Sequence, residues 1–243
     1  MPIKNAMVLA AGLGTRMRPI TETTPKPLVK IGGKAMIDYV LDALADAGVE
    51  IAVVNVHHLA DQMETHLKSR AKPAIVISDE RAELLNSGGG LAKGLKLLDG
   101  DAAFVMNADL FWVGEPEDQP TNLEKLAEFF NPVTMDMALL CVRIEDTTGH
   151  NGKNDFSMDD DGRLTRLGQG PGAPVVYAGA IVLTPSLLDD APSDAFNLNI
   201  YFDRAIAKSR LYGLVLSGHW LTVGTPEAIG EAEEAIKRFG EPA

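Results

Sequence analysis

Short apolar runs alternate with helical patterns through the first 106 residues, and this alternation constrains the fold more than any other feature. Between the runs, apolar residues at helical spacing predict three helices. The first covers 37–44 and is ended by Gly48, the second covers 60–70, and the third ends near residue 98. The apolar runs themselves cover residues 6–10, 51–56, 74–78 and 102–106. This strand–helix order predicts an α/β, Rossmann-like, doubly wound sheet whose strands are covered on both faces.

The pattern changes after about residue 131. We predict a long strand over 135–144 and a hairpin over 156–167, with a glycine-rich turn at 86–90 in the first half. Further strands are expected at 175–183, 211–216 and 219–223, and helices at 199–208 and 226–239. We interpret residues 131–243 as a mixed extension of the same sheet. Because no linker separates it from residues 1–130, a single domain over 1–243 is expected. No hexapeptide array follows the last helix, so no C-terminal β-helix is expected.

Composition narrows the classes of function. The formal net charge is −12, which argues against a broad basic face for nucleic acid. Cys141 is the one cysteine, so no internal disulfide forms, and its apolar surroundings indicate a buried strand residue. The first apolar run is too short for a membrane span or a signal peptide. We therefore expect a cytoplasmic protein without a membrane partner; the oligomeric state stays open.

The loop after the first strand carries the strongest local pattern, VLAAGLGTRMRPITETTPKPL over residues 8–28. Gly12 and Gly14 let a ligand approach the backbone, whose N–H groups can bind phosphate oxygens. Arg16, with Arg18 and Lys26, indicates a polyphosphate. A dinucleotide-binding loop would need a third glycine where Met17 stands, and no lysine and hydroxyl follow as in a P-loop.

These residues closely resemble the L-A-A-G-x-G-T-R-x-x-P motif, continued by P-K, of sugar-nucleotide pyrophosphorylases. Similar family segments follow along the chain: Asn86 to Gly90, Asn107-Ala108-Asp109, Tyr177-Ala178-Gly179 and Val223-Gly224-Thr225-Pro226-Glu227. The resemblance implies a GT-A-like nucleotidyltransferase fold, with residues 1–130 binding nucleotide and residues 131–243 binding sugar. It also implies an enzyme that joins a sugar 1-phosphate to a nucleoside triphosphate and releases pyrophosphate.

The secondary motifs are most similar to those of N-acetylmuramate 1-phosphate uridylyltransferases of peptidoglycan recycling, which use UTP. They include G-G-G at 88–90, G-H-N-G at 149–152 and G-H-W at 218–220. Mannose-1-phosphate guanylyltransferases, which use GTP, are the alternative. A nucleotide-binding regulator with little turnover and an NAD-dependent dehydrogenase are two further readings, and the basic loop disfavours the last.

The chemistry of the side chains predicts roles for three charged residues. The guanidinium of Arg16 suits the leaving β- and γ-phosphates, and Lys26 suits the α-phosphate. Asp109 follows an apolar strand, where a carboxylate beside phosphates requires a cation; we expect Mg²⁺. The remaining candidates for nucleotide binding are Ala10, Ala11, Gly12, Gly14, Thr15, Asn86, Gly88, Gly89 and Asn107, and those for the sugar are Asn154, Asp155, Gly179 and Asn197.

One residue departs from the family pattern. Many relatives carry W-x-D-x-G-T, whereas this chain reads Trp220-Leu221-Thr222-Val223-Gly224-Thr225. Thr222 therefore stands where the resemblance implies a second metal carboxylate. Since a neutral hydroxyl is a poor Mg²⁺ ligand, we expect Thr222 to contribute weakly or indirectly.

Overall fold

The computed structural model describes residues 2–240 and has mixed α/β architecture. Its strands are β1 (Asn5–Leu9), β2 (Lys30–Ile31), β3 (Lys34–Ala35), β4 (Ile51–Val56), β5 (Ala74–Asp79), β6 (Ala103–Asn107), β7 (Leu110–Val113), β8 (Met137–Val142), β9 (Thr147–Thr148), β10 (Phe156–Met158), β11 (Leu164–Arg166), β12 (Ala173–Leu183), β13 (Leu211–Val215) and β14 (His219–Thr222). Its α-helices are α1 (Met36–Asp46), α2 (Ala60–Leu67), α3 (Asn86–Leu95), α4 (Asn122–Phe129), α5 (Asn199–Ala207) and α6 (Ala228–Phe239). Within this range, no helix combines the length and the apolar character needed to cross a membrane.

Nine strands form the main sheet, in the order β11-β10-β12-β6-β1-β4-β5, with β8 on β12 and β13 on β8. Strands β6, β1, β4 and β5 are parallel, whereas β12 runs antiparallel to β6, β8 and β10. A smaller sheet orders β7-β14-β9, and β2 pairs with β3. The predicted Rossmann-like mixed sheet is confirmed, and its second half extends the first through the pairing of β12 with β6.

Alternate residues of the central strands enter two apolar layers. Val8 and Val54 pack with α1, α2 and α4, whereas Met7 and Val53 pack with α3 and α5 on the other face. Because a strand directs successive side chains to opposite faces, continuously apolar strands are what two covered faces require. Cys141 lies buried in β8, as expected.

A third apolar cluster anchors the loop that follows β1. Met17 and Val29 of that loop pack with Leu221 of β14 and with one face of α6. The proline-rich stretch is therefore fixed at both ends, and it forms three short 3₁₀ turns instead of a long helix.

Several predicted boundaries were wrong. Residues 86–90 are the first turns of α3 and not a separate turn. The first N–H groups of a helix lack partners inside the helix, and here the Phe196 carbonyl accepts from those of Gly88 and Gly89. The long strand is shorter than predicted, since β8 covers only Met137–Val142. Helix α4 was missed although it begins with a complete capping box of Thr121 and Glu124.

Candidate functional site

The site begins where β1 and β6 separate. Leu9 and Asn107 are the last paired residues of these two strands, and the Ala108 N–H donates to the Leu9 carbonyl at 3.1 Å. Beyond this point residues 10–14 belong to no strand or helix. Such an opening at the carboxyl ends of parallel strands is where open α/β sheets bind ligands.

The basic loop is braced internally. Gly14 adopts a φ of 61°, in the left-handed region, and its carbonyl accepts from the Thr21 hydroxyl at 2.8 Å. A Cβ added to Gly14 would lie 3.0 Å from Lys26 Cβ, so the glycine permits this close packing. His58 donates from Nε2 to the Thr21 carbonyl at 2.7 Å, which ties the loop to the end of β4.

This loop brings two of the predicted cations to the site. Lys26 forms an ion pair with Asp109, and the side chains are 11% and 32% exposed. The Arg16 guanidinium lies over Gly224, where an added Cβ would be 3.4 Å from Nη1. Arg16 has no ion-pair partner within residues 2–240, so its charge is available for a ligand. Thr15 is exposed beside it.

Thr222 lies in the same region. It is paired with Leu110 across β7 and β14, one residue from Asp109, and it is half-buried. Among residues 2–240, no group of three or more His, Cys, Asp or Glu side chains could hold a metal. Asp109 Oδ2 accepts a hydrogen bond from Lys26 Nζ, and Asp109 Oδ1 has no protein donor within the same range. This donor set fits Mg²⁺, which commonly takes one or two carboxylates and completes its shell with phosphate oxygens and water.

A cavity of about 440 Å³ opens beside the end of β1. Four predicted nucleotide-binding residues, Ala11, Gly12, Asn86 and Asn107, line it. No atom lies within 4 Å of a Cβ added to Gly12, so this glycine faces open space. Ala10 is buried behind the cavity wall.

Buried polar residues that sequence analysis missed form hydrogen bonds that fix the backbone around this cavity. The Ala10 N–H donates to Asn55 Oδ1 at 2.6 Å, and Asn55 Nδ2 donates to Glu80 Oε1 at 2.7 Å. Glu80 Oε2 accepts from the Leu85 N–H at 3.1 Å. A Cβ on Gly90 would meet Asn55 Nδ2 at 2.6 Å, so this position needs glycine. A buried asparagine inside the apolar run IAVVNV was the signal available in the sequence.

Two of the predicted base-binding glycines have another role in this structure. The N–H groups of Gly88 and Gly89 donate to the Phe196 carbonyl at 2.9 and 3.3 Å. An added Cβ on Gly88 would overlap the Phe196 ring. Because these donors are already satisfied, a role for Gly88 and Gly89 in binding a base stays a prediction.

A second cavity, of about 220 Å³, adjoins the first, and both are lined by Leu9, Ser87 and Asn107. The predicted sugar residues Asp155 and Asn197 line this second cavity. Neither of the other two predicted sugar residues does.

Gly179, with a φ of 85°, packs against the Leu110 side chain, where an added Cβ would overlap it. Asn154 has a buried Oδ1 without a hydrogen-bond partner among residues 2–240. The geometry thus separates the four sugar candidates into two that line the cavity and two that flank it.

The second cavity also contains residues to which sequence analysis assigned no individual role. Arg166, Tyr177 and Asn199 line it. Tyr177 is half-buried, and its hydroxyl has no hydrogen-bond partner in the described part of the chain. Burial, reinforced by the negative potential of Cys141, Asp155 and Asp109, raises the pKa of Tyr177 well above its ordinary value. The hydroxyl of this lining residue is therefore neutral and can donate a hydrogen bond.

Another cavity, of about 680 Å³, lies between α1 and α2, away from the strand ends. Most of its charges are paired with one another: Arg70 contacts Asp38 and Asp42, and Lys34 contacts Asp42. The two adjoining cavities, by contrast, meet at Asn107, two residues before Asp109 in the chain. Two ligands that share a reacting centre at Asn107 fit this arrangement, which is that of a group-transfer enzyme.

Comparison with known proteins agrees with the assignment to a group-transfer enzyme. The chain belongs to the nucleotidyl transferase family, whose profile matches residues 5–238. It is 42% identical over 237 residues to N-acetylmuramate alpha-1-phosphate uridylyltransferase of Caulobacter vibrioides, covering 96% of this chain and 97% of that protein. It is 28% identical to mannose-1-phosphate guanylyltransferase catalytic subunit beta of Drosophila melanogaster, over 91% of this chain and 60% of that one.

The fold has a matching solved structure. The inositol-1-phosphate CTP transferase from T. maritima superposes with a TM-score of 0.76 at 17% identity, covering 100% of this chain and 99% of that one. The GT-A-like nucleotidyltransferase fold predicted from the first loop is confirmed.

Proposed function

We propose that this enzyme transfers a uridylyl group from UTP to N-acetylmuramate 1-phosphate, forming UDP-N-acetylmuramate and pyrophosphate. The observation that carries the proposal is the junction of two cavities at Asn107, beside the Lys26–Asp109 pair. The substrate pair is supported by the 42% identity to the Caulobacter vibrioides uridylyltransferase. We place the reaction in the cytoplasm, as a step of peptidoglycan recycling.

The reaction needs positioning and charge neutralisation more than proton transfer. A phosphate monoester has a second pKa of about 6, so the acceptor is largely dianionic at neutral pH. One of its oxygens attacks the α-phosphorus of UTP, and the bond from that phosphorus to the bridging oxygen of pyrophosphate breaks. No general base is required, which agrees with a site built from Arg16, Lys26 and Asp109.

Each charged group has a distinct task in this scheme. Lys26 is held beside the strand end by Asp109 and compensates the charge that builds up around the α-phosphate. Arg16, unpaired over Gly224, binds the departing β- and γ-phosphates with its guanidinium. Bound Mg²⁺ would neutralise the phosphate oxygens, and Asp109 is the residue that would hold it.

The test is a matrix of nucleoside triphosphates against sugar 1-phosphates, with pyrophosphate converted to phosphate and detected. We expect UTP with N-acetylmuramate 1-phosphate to give the highest kcat/KM. A preference for GTP with mannose 1-phosphate would replace the proposal by the guanylyltransferase alternative. Saturable binding of UTP with no turnover of any pair would instead identify a nucleotide-binding regulator.

A further inference from the structure

The second cavity, which binds the acceptor in the function proposed above and is called the acceptor cavity from here on, contains one cationic residue that the transfer reaction does not explain. Of the residues that line it, only Arg166 and Asp155 carry charge. Resting on the function proposed above, we propose that Arg166 binds the lactyl carboxylate of N-acetylmuramate 1-phosphate and so selects this acceptor. N-acetylglucosamine 1-phosphate has the same ring, acetamide and phosphate but lacks that carboxylate.

Arg166 is held in place by its neighbours. Its Nε donates to Asp203 Oδ1 at 2.8 Å, and Nη2 donates to Asn199 Oδ1 at 3.1 Å. The guanidinium carbon lies 5.1 Å from the centre of the Phe156 ring, so the group also contacts an aromatic face. The side chain is 27% exposed. A guanidinium fixed in this way loses little conformational freedom when it binds an anion.

One nitrogen of the guanidinium stays free. Nη1 has no acceptor within residues 2–240, since the hydrogen bonds of Arg166 use only Nε and Nη2. A guanidinium nitrogen with free N–H groups, on a residue that lines the cavity, can donate a charge-assisted hydrogen bond to a ligand carboxylate. The other charged lining residue, Asp155, has its Oδ2 occupied by the Tyr177 N–H at 2.8 Å.

The position of Arg166 separates this role from binding the 1-phosphate. The reacting phosphate must reach the junction at Asn107, on β6, beside Lys26 and Asp109. Arg166 is on β11, and the order β11-β10-β12-β6 places three strand spacings between those backbones. At about 4.8 Å each, the backbones are roughly 14 Å apart. The lactyl group is carried on C3, two ring atoms from C1, and extends away from the ring, so it can reach toward Arg166 while the phosphate stays at Asn107.

The experiment compares the two acceptors in wild type and Arg166→Gln, with UTP fixed and saturating. We expect Arg166→Gln to lower kcat/KM for N-acetylmuramate 1-phosphate by about 10- to 100-fold, as loss of a charge-assisted hydrogen bond does. The value for N-acetylglucosamine 1-phosphate should change only a few-fold. Arg163→Gln is the matched control, because Arg163 belongs to the same hairpin but bonds Tyr212 outside the cavity. It should leave both values unchanged.

Two further measurements complete the test. Arg166→Lys, which keeps the charge without the fork, should give an intermediate loss with the muramate acceptor. Inhibition constants of unphosphorylated N-acetylmuramate and N-acetylglucosamine supply the same comparison if the poorer acceptor turns over too slowly. The ratio of these constants should fall toward one in Arg166→Gln.

The outcomes distinguish this assignment from the proposed function. If wild type prefers N-acetylmuramate 1-phosphate and Arg166→Gln keeps that preference, or loses both acceptors equally, the assignment of Arg166 is wrong and the function stands. If wild type prefers another nucleotide and sugar, the function fails and the assignment fails with it.

Discussion

The nucleotide side and the acceptor side of the site are built in different ways. On the nucleotide side, one continuous stretch over residues 8–28 supplies Gly12, Arg16 and Lys26, and the apolar cluster around Met17 and α6 anchors it. The acceptor side draws Asp155, Arg166, Tyr177 and Asn197 from separate segments that follow β6. A local motif can therefore identify the nucleotide side, whereas the acceptor side exists only after β10, β11 and β12 have paired.

The two cavities also differ in how particular polar residues of their walls are satisfied. Asn55, which lines the nucleotide cavity at the end of β1, and Glu80, which is hydrogen-bonded to it, are buried, and their side-chain oxygens all accept hydrogen bonds from the protein. The Tyr177 hydroxyl and Arg166 Nη1, in the acceptor cavity, have no protein partner among residues 2–240. Because unpaired groups gain most from a ligand that supplies partners, Tyr177 and Arg166 should contribute to selectivity between acceptors.

The largest expected effect lies where the two sides meet. Asp109→Asn should lower kcat by about 10³-fold or more, because it removes the predicted Mg²⁺ ligand and leaves the nearly buried Lys26 without its partner. Steady-state rates over a Mg²⁺ titration measure this. Asp101→Asn, at an exposed carboxylate outside the site, is the control and should behave as wild type. An Asp109→Asn enzyme with near-normal rate would exclude the carboxylate from the reaction.

The next effect isolates the nucleotide side. Lys26→Ala and Arg16→Ala should each lose about 10²- to 10³-fold in kcat/KM, as loss of a charge stabiliser at a reacting centre does. The loss should be the same for every acceptor, since neither side chain lines the acceptor cavity. Arg18→Ala, an exposed cation of the same loop, should cost only a few-fold. Equal damage in all three variants would mean that the net charge of the loop matters and the positions do not.

A pair of glycines tests the contrast between packing and binding. Gly88→Ala should reduce the free energy of unfolding by about 1–3 kcal/mol, because its Cβ overlaps the Phe196 ring. For a chain of this size that lowers Tm by several degrees. Gly12→Ala should leave Tm unchanged and raise the KM for UTP, since Gly12 faces open space in the nucleotide cavity. Thermal melting and steady-state kinetics on both variants check this, and a stable Gly88→Ala would show that Phe196 moves freely.

Sequence patterns predicted the two sides unequally. The parallel strands and the basic loop followed from apolar runs and from residues 8–28, because both depend on neighbours in sequence. Arg166 was missed, and Tyr177 was noted only as part of the family segment at 177–179, because strand pairing, which depends on distant residues, brings them into the cavity. Gly88 and Gly89 were predicted to bind a base, but their N–H groups donate to Phe196, which is more than a hundred residues away in the chain. Asn55 and Glu80 show that a buried polar residue is a useful signal only when its partner is known.

The smallest effect concerns Thr222, on β14 opposite Leu110. We expect Thr222→Ala to lower kcat only a few-fold, because a neutral hydroxyl binds Mg²⁺ poorly and Asp109 remains. Thr222→Val removes the hydroxyl with little change of shape, and it should match Thr222→Ala. Thr222→Asp should lower the Mg²⁺ concentration that gives half-maximal rate, since a second carboxylate would then face phosphate-bound metal beside Asp109. Mg²⁺ titrations of the three variants measure this. If Thr222→Ala is as damaging as Asp109→Asn, the hydroxyl is a full member of the site. Mg²⁺ would then be bound by two protein side chains, Asp109 and Thr222, where the nucleotide and acceptor sides meet.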